Sequence, residues 1–119
     1  MSSQRLEIPF HTARLNQLLG CHWGTAHALK KRDQSAVAIC AANASLEKAT
    51  SPRKVSLFVW MGRKHRRPDP DAFWKSLLDA LVACELLIDD SPRWCTLGDV
   101  TFGRAEKDSM LILLEDLPL

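Results

Sequence analysis

Two kinds of charge meet in the stretch RKHRRPDPDAFWKSLLDALVACELLIDD, which runs from Arg63 to Asp90. Arg63, Lys64, His65, Arg66 and Arg67 form a basic block, and Asp69 and Asp71 follow it directly. Lys75 and Asp79 come next at helical spacing, and the stretch closes on Asp89 and Asp90. Cations of this kind hold a phosphodiester backbone, while clustered carboxylates hold a hard divalent metal. Placed side by side, they supply the parts of metal-assisted phosphodiester hydrolysis.

Each part also has a plain structural reading. Asp69 suits a helix N-cap, Pro70 the first helical position, and Asp71 the positive end of the helix. Asp71, Lys75 and Asp79, spaced four apart, make an exposed ion-pair ladder worth roughly 0.2–0.5 kcal/mol per pair. Asp89 and Asp90 before Ser91-Pro92 make an acceptable turn.

Positioning these residues falls to six elements. Arg5 to Phe10 alternates, with Leu6, Ile8 and Phe10 on one face, which predicts a half-buried strand. Pro9 cannot donate to a ladder, so this strand lies at an edge or ends there. Residues 11–23 read as a loop or a short turn of helix containing Asn16. Thr25 is the expected N-cap of a helix over 26–48, with Leu29, Ala36, Val37, Cys40 and Ala44 facing a sheet and Thr50-Ser51-Pro52 as its stop. Lys54 to Met61 places Val55, Leu57, Val59 and Met61 on one face and Phe58 and Trp60 on the other. A strand apolar on both sides is expected to be central and covered twice. It delivers the chain to the basic block at its C-terminal end, where ligand sites gather. A helix over 71–86 turns Phe73, Leu77, Ala80, Leu81 and Cys84 inward and Asp71, Lys75 and Asp79 outward. Residues 98–103 and 110–115 are expected to form a hairpin around the polar loop RAEKDS. The order β-α-β-α-β-β predicts an α+β fold, a small mixed sheet with helices packed on it.

A chain of 119 residues with 46% hydrophobic and 25% charged content is expected to form a single soluble domain over 1–119. Net charge is only +2, so the distribution matters more than the total. Basic residues cluster at 30–32, 53–54 and 63–67, and Lys30-Lys31-Arg32 reads as a solvated surface run. The N-terminus has no apolar core of signal-peptide length and no segment approaches membrane-spanning length, so a cytoplasmic, non-membrane protein is expected. Cys21, Cys40, Cys84 and Cys95 show no CxxC spacing and read as small core or surface residues. A zinc site from Cys21, His22, His27 and Cys40 would match no standard ligand spacing.

The string Asp69-Pro70-Asp71, Lys75, Asp79-Ala80-Leu81 and Asp89-Asp90 resembles the signature of RusA-type Holliday-junction resolvases. That signature has a DxD pair, a lysine four residues later, a DAL and a terminal DD at matching spacings, and the basic run before the DxD also fits. A weaker likeness covers most of the chain: an N-terminal strand ending in Pro, a long helix, a strand leading to the DxD, and a C-terminal hairpin. Ala72 stands where the family usually has Asn, Glu85 where it often has Gly, and Pro92-Arg93 where it often has Gln-Val.

The resemblance implies that Asp69, Asp71 and Asp90 ligate Mg²⁺ or Mn²⁺, with water completing the coordination. Lys75 would hold the attacking water or a phosphate oxygen, while Arg63, Lys64, Arg66 and Arg67 clamp backbone phosphates. Asp89 is read as shaping the turn. The implied substrate is branched DNA, a four-way junction cut in two strands by a two-fold homodimer that needs no nucleotide cofactor. Two other readings stand beside it. One is a RusA-like junction-binding protein that has lost catalysis, with Ala72 as its basis. The other is a small interaction protein that binds no nucleic acid, its carboxylates serving as caps and ladders. A helix continuous over 71–86 would be more than about 20 Å long. Leu87 to Asp89 span at most about 10 Å, so either Asp90 is not a ligand or it completes the partner subunit's site, and the second is expected because a resolvase must cut two symmetry-related strands.

Overall fold

Alternation along one strand sets the architecture. In β2 (Arg53–Met61), Val55, Leu57, Val59 and Met61 are buried while the intervening side chains are not. The computed structural model describes residues 3–12, 22–62 and 72–118. Within it, β2 pairs antiparallel with β4 (Ser109–Asp116) and parallel with β3 (Cys95–Arg104). β4 in turn pairs antiparallel with β1 (Ser3–Ile8), so the four-stranded mixed sheet has the order β1-β4-β2-β3. Helix α1 (Trp23–Asn43) joins β1 to β2, and α2 (Trp74–Ala83) lies between β2 and β3. The fold is α+β with the expected element order, and β1 is an edge strand that ends just before Pro9.

The C-terminal strands do not form the expected hairpin, because β2 lies between them. Packing explains the choice. In the slot between β1 and β2, Met110, Ile112 and Leu114 continue buried apolar rows: Ile8, Met110 and Val59 in one, Leu6, Ile112 and Leu57 in the next. The link from Arg104 to Ser109 can reach about 17 Å, enough to cross two strand spacings of about 4.8 Å. It is tied down over the end of β2 by Ala105 N–H to the Met61 carbonyl at 2.9 Å and Gly62 N–H to Asp108 Oδ1 at 2.7 Å.

Both helices contribute to one core. Val37 and Ala41 of α1, and Phe73, Leu77, Ala80 and Leu81 on and before α2, join the inward residues of the sheet. No described helix covers the opposite face, where Trp60 is 40% exposed and Phe58, Leu111 and Leu113 are partly covered. Among the described residues, the second cover expected for β2 is not supplied by a helix. The outer apolar residues of β2 instead shield a neighbouring strand: a Cβ at Gly103 would collide with the Trp60 indole, so β3 needs glycine there.

Both helices end sooner than their apolar periodicity suggests, and by the same device. Past α1, Ser45 takes φ 55°, its N–H bonds to the Ala42 carbonyl, and Leu46 N–H bonds to Ala41, each at 3.1 Å. Past α2, Glu85 takes φ 64°, with Glu85 N–H on Val82 and Leu86 N–H on Leu81. These are left-handed C-terminal closures completed by an apolar residue that turns back onto the core. The start of α1 also differs. His22, not Thr25, is the cap: its Nδ1 accepts Gly24 N–H at 3.1 Å, and its carbonyl accepts Ala26 N–H at 3.0 Å.

Arg53, counted above within a basic cluster, is only 2% exposed. Its Nε donates to Asp116 at 2.8 Å, Nη1 to the Leu86 carbonyl at 2.9 Å, and Nη2 to the Glu47 carbonyl at 3.1 Å. One guanidinium thus binds the segments after both helices to the end of β4.

Candidate functional site

The chain enters the charged stretch at the C-terminal rim of β2. Arg63, Lys64, Arg66, Arg67, Asp69 and Asp71 lie outside the described residues, whereas both flanks of the stretch are described. On the entering side, Gly62 N–H is held by Asp108, and Arg104 Nη1 donates to the Gly62 carbonyl at 3.4 Å. His11 Nε2 lies 2.9 Å from the Trp60 carbonyl, and its Nδ1 is 3.8 Å from Asp108 Oδ2. On the leaving side, Phe73 is fully buried and meets the His11 ring edge-on at 5.2 Å. Thr12, also buried, sets its N–H on Met110 Sδ at 3.3 Å. Four segments, around 11–12, 60–62, 72–73 and 104–108, therefore converge on one rim.

Sequence reasoning did not single out His11, Arg104 or Asp108 as part of this frame. Nothing local marks them, since His11 and Asp108 come together only through the pairing of β1 with β4.

Lys75 occupies the first turn of α2 on the same rim. Its ammonium is 3.5 Å from Asp79 Oδ2, an i,i+4 pair with more than half of the lysine side chain exposed. A pair so exposed holds the lysine weakly, by 1 kcal/mol at most or thereabouts, and leaves it able to turn toward a ligand. Ala80 and Leu81, which follow Asp79 in the DAL string, are wholly buried. Core packing accounts for those two.

Asp89 and Asp90 sit at the other rim. Ser91 accepts Trp94 and Cys95 N–H through its carbonyl, and Arg53 N–H bonds to the Trp94 carbonyl, which fixes this turn beside the start of β2. Hydrogen bonding from the Ser91 side chain, helped by the Asp90 backbone N–H, holds the Asp89 carboxyl below the usual carboxylate range. That is the turn-shaping role expected for it. Burial raises the Cys95 thiol, and the charge of Asp90 raises it further.

Because β2 and β3 are parallel, α2 carries the chain from one rim back to the other. From Trp60 to Arg53 is roughly 20 Å of strand, and that is the scale separating Phe73 from Asp90. The helix is shorter than expected, ten residues over Trp74–Ala83, so the distance rests on strand direction and not on helix length. Lys75 and Asp90 of one chain are not brought together.

Among the described residues, no three His, Cys, Asp or Glu side chains gather closely enough to hold a metal. Asp90 is the one described member of the implied ligand set, and an exposed carboxylate suits a hard cation. The imagined zinc set fails on geometry: His22 and Cys40 stand near opposite ends of α1, about 27 Å apart along the helix. No known family model and no curated protein sequence matches the chain.

Proposed function

We propose that the chain is a RusA-type, metal-dependent endonuclease that acts on branched DNA as a two-fold homodimer. The observation that carries this reading is the rim itself. Gly62 and Phe73, the described flanks of the basic block and the DxD pair, are anchored in one hydrogen-bonded and packed frame, with an exposed Lys75 beside it. Glu85 adds support. It stands where the resembled family often has glycine, and its φ of 64° is a conformation that glycine adopts freely.

In this reading, Arg63, Lys64, Arg66 and Arg67 hold backbone phosphates and contribute little to base specificity. Asp69 and Asp71 would hold Mg²⁺ or Mn²⁺ together with Asp90 of the second copy, since Asp90 of the same chain is at the rim opposite Lys75. The metal, when bound, supplies Lewis acidity and lowers the pKa of a coordinated water. Lys75, only weakly held by Asp79, would orient the attacking water or a non-bridging phosphate oxygen. No nucleotide cofactor takes part. No helix among the described residues is long and apolar enough to cross a membrane, and a cytoplasmic setting is proposed with the function.

A synthetic four-way junction incubated with and without Mg²⁺ tests the proposal. Paired cuts in two opposed strands, seen only with metal, are expected. Tight, salt-sensitive binding without cleavage would instead mark a junction-binding protein that has lost catalysis. No salt-dependent binding would remove nucleic acid from the account altogether.

A further inference from the structure

The first turns of α1 carry an arrangement used by neither the core nor the rim. Trp23 opens the helix with 76% of its surface exposed. His27, one turn on, stacks against it at 5.2 Å between ring centroids and 8° between planes. One face of the indole is thereby backed, and the high exposure leaves the other open. Lys30 and Lys31 follow a further turn along, about 10–12 Å from Trp23, and neither forms an ion pair among the described residues. The helix has no acidic residue in its first turn. Its sole carboxylate, Asp33, is fully buried and bonded to Arg32 at 3.0 Å.

An exposed aromatic plane at the start of a helix whose first turn carries no acid, with two lysines further along, matches the two chemistries of a nucleotide strand, a π-face for the ring and phosphates for the ammonium groups. The residues that follow Trp23 in the helix, Gly24 and Thr25, add little apolar surface that a partner protein could use. We propose that the Trp23–His27 stack, with Lys30 and Lys31, holds an unstacked base of a DNA strand. None of this contact's residues belongs to the rim frame described above. It rests on the DNA-binding reading and extends it: a branch point offers unstacked bases that a blunt duplex does not. Lys30 and Lys31, which the sequence presents as a solvated run, then contact phosphate.

Binding of the full-length protein to a short oligo-dT strand and to a blunt duplex, followed by fluorescence anisotropy, tests the proposal in wild type, Trp23→Ala and Trp23→Phe. Trp23→Ala is expected to weaken oligo-dT binding roughly 5- to 100-fold, with duplex binding unchanged and Trp23→Phe close to wild type. The side chain is exposed, so the fold should survive, and an unchanged far-ultraviolet circular dichroism spectrum checks this. Equal oligo-dT affinity in Trp23→Ala and wild type overturns the stacking contact while leaving the endonuclease reading intact. A wild-type protein that binds neither oligo-dT, duplex nor four-way junction overturns both. Loss of self-association in Trp23→Ala, with DNA affinity unaltered, would reassign the stack to a contact between copies and overturn the proposal.

Discussion

Arg53 and Lys75 are both basic side chains, and their surroundings give them opposite roles. Lys75 is exposed and held by one weak pair, whereas Arg53 is buried and donates to a carboxylate and to the carbonyls after both helices. Removing one member of a buried charged network costs more than its net contribution, because its partners are left without donors. Arg53→Met is therefore expected to lower the unfolding free energy by about 3 kcal/mol, read as a drop in the urea midpoint. Arg53→Lys should fall between, since an ammonium's donors all radiate from one nitrogen and cannot reach acceptors spread around the planar guanidinium. At the proposed site, Asp71→Asn should abolish junction cleavage and leave binding equal or tighter. The carboxylate is needed to hold the metal, yet repels phosphate when the metal is gone. Cleavage at the wild-type rate would remove Asp71 from the ligand set.

At the scale of elements, the two helix ends hold strain that can be relieved. Ser45 and Glu85 sit at positive φ without being glycine, where a side chain costs about 1–2 kcal/mol. Substituting glycine gives back part of that gain by loosening the unfolded chain, by about 0.5–1 kcal/mol. Ser45→Gly should thus stabilise by about 0.5–1 kcal/mol, visible as a rise in melting temperature. Glu85→Gly should gain less, because it also gives up the exposed ion pair of Glu85 with Lys48. If neither variant melts higher, the left-handed closures do not carry the strain assigned to them. The closures also explain why the helices were expected to run longer. Their marker residue is usually glycine, and here it is serine in one case and glutamate in the other.

The whole molecule turns on the parallel pairing of β2 with β3. It sends Asp90 to the rim opposite Lys75, which is the geometric ground for the proposal that two copies share each site. Mixing Asp71→Asn with Asp90→Asn subunits should then restore one intact site per heterodimer. Nicking of a single strand by the mixture is expected, with neither variant active alone. An inactive mixture of subunits shown to exchange would refute the shared site.

Local periodicity alone determined a good part of this protein. The alternation in Leu6 and Ile8, in Val55 to Met61 and in Met110 to Leu114 marks three strands and their buried faces, and Phe73, Leu77, Ala80 and Leu81 mark the inner face of α2. Such patterns are legible because burial repeats every two or every 3.6 residues within a single segment. The DxD pair, its lysine and the basic block stand out as a candidate site because they lie close together in the chain. Tertiary structure decided what depends on partners far away in sequence. It set β4 between β1 and β2, buried Arg53, joined His11 to Asp108 at the rim and sent Asp90 to the other end. Each of those outcomes is a competition among long-range contacts, in which the winner is the pairing that buries the most apolar surface while leaving no polar group unbonded.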